Sequence, residues 1–87
     1  MSIRMELFGV ARLRAGVAET ELEAATLGEF MRELCVRFPQ LEGEVVRDGM
    51  PAAGYLVSLD GRLFLDDPEL PLRNGSRLLL VSAQAGG

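Results

Sequence analysis

Residues 26–39 read TLGEFMRELCVRFP. Leu27, Phe30, Met31, Leu34, Cys35 and Phe38 recur there at spacings of three and four residues. That is one continuous apolar stripe on a helical period. Thr26 and Glu29 fit a capping box, in which the Thr hydroxyl meets the backbone N–H of Glu29. Pro39 ends the pattern, because it disfavours helical geometry at Phe38. No other stretch of the chain carries a helical signal of this strength.

The segments on either side read as strands. Ile3, Met5 and Leu7 alternate with Arg4, Glu6 and Phe8, the period of a half-buried strand, with Phe8 an aromatic on the polar face. Gly9–Gly16 holds two glycines and two arginines and is expected to be a hairpin loop. Residues 18–24 alternate again, with Glu19, Glu21 and Glu23 on a solvated face, and predict a second strand antiparallel to the first. After the helix, Leu41, Val45 and Val46 predict a short helical turn on the sheet edge, and Asp48-Gly49-Met50-Pro51 a turn. Tyr55–Leu59 and Arg62–Leu65 predict a hairpin across Asp60-Gly61, a pair suited to positive φ. Arg77–Ala83 reads as the last strand, with Leu78 and Leu80 on one face and Leu79 and Val81 on the other.

The order β-β-α-β-β-β predicts an α+β fold. One main helix must cover the apolar face of a mixed sheet, with the first and last strands adjacent in its centre. Residues 1–83 are expected to form this domain and 84–87 a flexible C-terminal tail.

Composition then excludes much chemistry. The chain has 87 residues, no His and one Cys, and all nine of its basic residues are Arg. Zinc sites built from His and Cys, iron–sulfur ligation within one chain and His-activated nucleophiles are excluded. Without Lys there is no P-loop and no Schiff base. One Cys allows no internal disulfide. A net charge of −4 argues against nucleic acid. The longest apolar run, Leu78–Val81, is too short for a membrane span, and Met1–Leu7 lacks a signal peptide's apolar core. The expectation is a cytoplasmic domain with no bound cofactor or metal, no nucleic-acid partner and no membrane partner.

The chain ends Gly86-Gly87. At average glycine usage a chance pair at those two positions has a probability of about 0.5%. A frayed end is the commoner fate of a terminus. Here the pair closely follows a strand and would project from a rigid body.

Four features together resemble a known family. They are Leu7-Phe8-Gly9-x-Ala11-Arg12, Thr26 opening the helix, Leu72-Arg73-Asn74-Gly75 before the last strand, and Gly86-Gly87. The chain is similar to the ubiquitin-like β-grasp sulfur carriers of the MoaD/ThiS type, most closely the small subunit of molybdopterin synthase. The resemblance implies that an E1-like adenylyltransferase of the MoeB/ThiF type uses ATP to adenylate the Gly87 carboxylate. A sulfur donor then leaves a thiocarboxylate, which donates its sulfur in a second partner, a large subunit of the MoaE type or another sulfur-accepting enzyme. It implies a non-catalytic carrier subunit of a sulfur transferase, without stand-alone activity. Ala85 and Gly86 would thread the partner's channel with Gly87, since glycine lets backbone approach closely. Ser82-Ala83-Gln84-Ala85 departs from the family's tail, which often carries proline and a bulky apolar residue. Cysteine, thiamine, tungsten-cofactor and thio-natural-product pathways therefore stay open beside molybdopterin. So does a ubiquitin-like modifier joined to other proteins through Gly87.

Phe8, Leu63, Leu79 and Val81 fall on the strand face away from the helix. They form either a docking surface, the role of matching family positions, or a small cluster shielded by loops. Arg12 and Arg14 suit acidic partner groups or an ordinary solvated loop. Cys35 in the helical stripe reads as a core residue, and Asp66-Asp67 as a solvated turn.

Overall fold

A computed structural model describes residues 1–61 and 63–82, with only the backbone described at 63 and 64. Strand β1 (Ser2–Leu7) buries Ile3, Met5 and Leu7 completely or nearly so. Its alternation sends Arg4 and Glu6 to the opposite face. Strand β2 (Glu19–Glu23) pairs antiparallel with it, Ile3 facing Leu22 and Met5 facing Thr20.

The connection between them corrects the sequence reading. Gly9–Ala15 is a short helix, α1, rather than a hairpin loop. Both glycines that suggest a turn are its punctuation. Gly9 has φ +57° at the first position. Gly16 has φ +81° at the C-terminal end, and its N–H donates to the Arg12 carbonyl at 2.9 Å. Only glycine takes such angles without a Cβ penalty. The helix buries Ala11 and Ala15, four residues apart. A stripe of alanine carries too little hydrophobic contrast to register as a helical period.

Helix α2 (Leu27–Arg37) follows as expected. Leu27, Phe30, Met31 and Leu34 are fully buried, whereas Cys35 and Phe38 lie at the margin of the core. Thr26 Oγ1 accepts from the Glu29 N–H at 3.2 Å, and Glu29 Oε1 accepts from the Ala25 N–H at 2.9 Å. The remaining free amides of the first turn reach a distant loop. Leu27 N–H donates to the Leu70 carbonyl at 2.9 Å and Gly28 N–H to the Pro68 carbonyl at 2.8 Å. The end of the helix is therefore sealed by the segment before the last strand. Gly28 permits this approach, since a Cβ there would lie 3.0 Å from the Pro68 carbonyl oxygen.

A 3₁₀ turn, Pro39–Leu41, replaces the helical turn expected near Val45. Leu41, Val45 and Val46 are nevertheless fully buried, as their hydrophobicity requires. Strands β3 (Val46–Arg47) and β4 (Met50–Pro51) make a small hairpin whose turn, Asp48-Gly49, has positive φ at both residues. The expected turn at 48–51 is thus the turn and outgoing strand of a separate two-stranded sheet.

Strands β5 (Tyr55–Leu59) and β6 (Leu63–Leu65) pair antiparallel, with positive φ at Asp60 and Gly61 as predicted. Strand β7 (Arg77–Ser82) enters the sheet between β1 and β5. The order β2-β1-β7-β5-β6 places the first and last strands side by side, parallel, with Leu7 beside Leu80. Leu78, Leu80 and Val57 join β1 and α2 in one core. Each large aliphatic side chain buried there contributes about 1.5–3 kcal/mol. Among the described residues, no helix is long and apolar enough to cross a membrane.

Candidate docking face and the root of the tail

The sheet has one face covered by α2 and one that is not. On the uncovered face, alternation places Arg77, Leu79 and Val81 of β7, Arg4 and Glu6 of β1, and Leu56 and Ser58 of β5. The register sets Leu79 between Glu6 and Ser58, and Val81 opposite Leu56. Leu79 and Val81 are half-buried. Ser58 is only 4% exposed, so the centre of this face is already partly shielded from water. A Cβ at Gly61 would lie 3.6 Å from Leu79 Cδ1, so the Leu79 side chain leans toward the β5–β6 turn.

Phe8 extends this apolar area. It is one residue beyond the last β1–β7 pair, and its N–H donates to the Leu80 carbonyl at 3.2 Å. Its backbone is extended, with φ −127° and ψ 157°, so strand alternation continues through it to the uncovered face. It is 41% exposed. The structure therefore brings Phe8, Leu79 and Val81 to one face, beside the outgoing end of β7. Leu63 pairs with Leu59 through its backbone, and its side chain lies outside the described residues. Ala85, Gly86 and Gly87 also lie outside the described residues. Arg12 is exposed on α1, rather than in the hairpin loop expected for it.

The same face is divided in polarity. Its β1–β2 half carries ion pairs: Arg77 to Glu6 at 3.5 Å, Arg4 to Glu21 at 3.7 Å, and the N-terminal amine to Glu23 at 3.1 Å. The Ser2 hydroxyl also donates to Glu21. Exposed pairs of this kind contribute little to stability, about 0–1 kcal/mol each. Their consequence here is geometric, since they confine the apolar area to β7, β5 and Phe8. The sequence reading missed Leu56 and Ser58. The alternation of Tyr55–Leu59 already contains them, on the side opposite Val57.

Elsewhere, a groove of about 510 Å³ runs between α2 and the β3–β4 hairpin, lined in part by Met31, Cys35, Val36 and Pro39. Burial, followed by the charge of Glu42 and a hydrogen bond to it, raises the Cys35 thiol from 9.0 to about 11. It therefore stays protonated near neutrality and is a weak nucleophile. Asp66-Asp67 leads into a turn over Pro68-Glu69, in which Leu70 N–H donates to the Asp67 carbonyl at 3.1 Å and Asp67 Oδ1 accepts from the Glu69 N–H at 2.9 Å. Among the described residues no cluster of three potential metal ligands forms.

No family model matches the chain, and no curated protein matches it significantly in sequence. Solved structures do match. SAMP1 from Haloferax volcanii is 24% identical, with complete coverage of both chains (100% and 100%) and a TM-score of 0.84. A chain in the BexX/CysO complex from Amycolatopsis orientalis is 18% identical, covering 98% of this chain and 99% of that one, with a TM-score of 0.79. A chain in the complex of subunits 1 and 2 of the molybdopterin-converting factor from Helicobacter pylori is 20% identical over 100% of both, with a TM-score of 0.70. At such identities the likeness is one of architecture, and it runs the whole length of each chain. The chain has the ubiquitin-like β-grasp fold, which it shares with small archaeal modifier protein 1 and with the molybdopterin-converting factor.

Proposed function

We propose that the chain is a sulfur carrier whose working group is the Gly87 carboxylate. The observation that supports this reading most is positional. The central strand β7 leads toward Gly86-Gly87, and Gly87 lies five residues beyond Ser82, in a fold shared end to end with SAMP1 and the molybdopterin-converting factor. A carboxylate resists acyl transfer until it carries a good leaving group. Adenylation joins a carboxylate oxygen to the α-phosphorus of ATP and releases pyrophosphate. A hydrosulfide equivalent then attacks the carbonyl carbon, AMP leaves with the bonding electrons, and a thiocarboxylate remains. Transfer of that sulfur to an acceptor, with water supplying the oxygen, restores the carboxylate.

The chain has no His or Lys to serve as general base, so this chemistry falls to partners. We assign activation to an E1-like adenylyltransferase and acceptance to a large subunit such as that of molybdopterin synthase. Phe8, Leu79 and Val81 would be their docking surface, with Arg12, Leu63, Ala85 and Gly86 as further contacts. The role of a modifier, joined to other proteins through Gly87, is the second reading. The likeness to the small archaeal modifier protein SAMP1 favours it. Intact mass of the protein from its native host separates the two. The carrier reading predicts a species heavier by the sulfur-for-oxygen difference, lost on deletion of Gly87. A ladder of protein-sized adducts instead would transfer the assignment to the modifier. Unaltered mass with ATP and the adenylyltransferase present would refute both.

A further inference from the structure

Helix α1 is oriented against the usual partition of side chains. Its core side consists of Ala11 and Ala15. Leu13, two residues from each and so on the opposite side of a helix, is 81% exposed, and Val10 is 44% exposed. Val17, just beyond the Gly16 cap, is 37% exposed. Arg12, Leu13, Gly16 and Val17 border one shallow hollow of about 250 Å³. The charge here also opposes that of the rest of the molecule. Residues 8–18 contain two arginines and no carboxylate, in a chain of net charge −4. Arg14 pairs with Glu44 at 3.5 Å, while Arg12 stands at the exposed rim of the hollow. The position is specific too. Phe8, which precedes the helix, donates to Leu80 of β7, so α1 begins beside the outgoing end of the strand that leads to the tail.

We infer that the outer face of α1 is a second docking element, with Leu13 as its anchor and Arg12 at its rim. Its occupant is the enzyme that activates the tail, through an apolar recess edged by carboxylates. The inference rests on the reading of Gly87 as the activated group. Before activation the tail presents a carboxylate like that of any protein, so the enzyme must recognise the folded body. The surface beside the end of β7 offers both an exposed apolar anchor and basic charge in an otherwise acidic chain, the pair of features a carboxylate-edged recess would recognise. Arginine is enriched among interface hot spots, and Leu13 next to Arg12 adds a large exposed apolar side chain on the same helix.

The test uses the full chain and the host's E1-like adenylyltransferase, mixed without ATP and titrated calorimetrically. Leu13→Ser should weaken binding by about tenfold or more, and Arg12→Glu should weaken it in the same direction. Melting curves should match the native chain, because neither side chain is in the core. Affinities within about twofold of native for Leu13→Ser, or no binding by the native body before ATP is added, would overturn the inference. Adding ATP separates the two ideas. Leu13-dependent binding without adenylate formation would refute the carrier reading and leave the surface standing. Adenylation with a Leu13-independent KM would do the reverse.

Discussion

Leu79→Ala distinguishes a docking face from an inert one. Leu79 sits in the central strand, between Glu6 and Ser58 on the uncovered face. Because it is half-buried, truncation removes only part of a leucine's burial. The expected loss of stability is about 1 kcal/mol, or a fall in Tm of about 4–8 °C for a domain of this size. The core on the other face is untouched, so at 25 °C the variant remains folded. If Leu79 anchors a partner, the same truncation costs about 2 kcal/mol or more of association, about a thirtyfold effect. Carrier-dependent pyrophosphate release by the activating enzyme reads this as a rise in KM, while a melt reads stability separately. Arg4→Ala is the control on the charged half of the same face. Its ion pair with Glu21 is exposed, so both stability and KM should change little. A Leu79→Ala variant with the expected melting shift and a KM within about twofold of native would refute the docking assignment.

Two further substitutions or modifications test the framework. Gly28→Ala should destabilise the chain by about 1 kcal/mol net, because a clash of about 1–3 kcal/mol outweighs the helix propensity alanine gains, about 1 kcal/mol. The clash is with Pro68, whose carbonyl oxygen and Cβ would lie 3.0 and 3.1 Å from the new methyl. Chemical denaturation measures it, and a gain in stability would contradict the packing described. Cys35 should react with a neutral alkylating reagent at pH 8 about a hundredfold more slowly than in denatured chain, because its thiolate fraction falls with the upward shift. The rate should keep rising with pH toward about 11, where the thiol titrates.

Much of the architecture was legible because strong patterns are local. The stripe from Leu27 to Phe38 and the alternation in Ile3–Phe8 and Arg77–Val81 each read correctly, and together they required a central β1–β7 pair. The rest depends on features that contrast weakly or act at long range. Helix α1 hides because its buried side is alanine, and its two glycines look like turn residues. The β3–β4 hairpin has only two residues per strand, too few for a period. The sealing of α2 by the Pro68 and Leu70 carbonyls joins segments about forty residues apart, which no spacing rule reveals. At the candidate site, alternation placed Phe8, Leu79 and Val81 correctly. It said nothing of the exposed Leu13, because a residue read as part of a loop has no face.

The central claim is that Gly87 carries the chemistry. The most direct measurement is fragment-resolved mass spectrometry of the full chain after incubation with ATP, sulfide and its adenylyltransferase. The account predicts a sulfur-for-oxygen mass gain confined to the C-terminal fragment containing Gly87, absent without ATP and absent in the Gly87 deletion. Sulfur found on Cys35, or a C-terminal fragment unchanged while the enzyme consumes ATP, would contradict it.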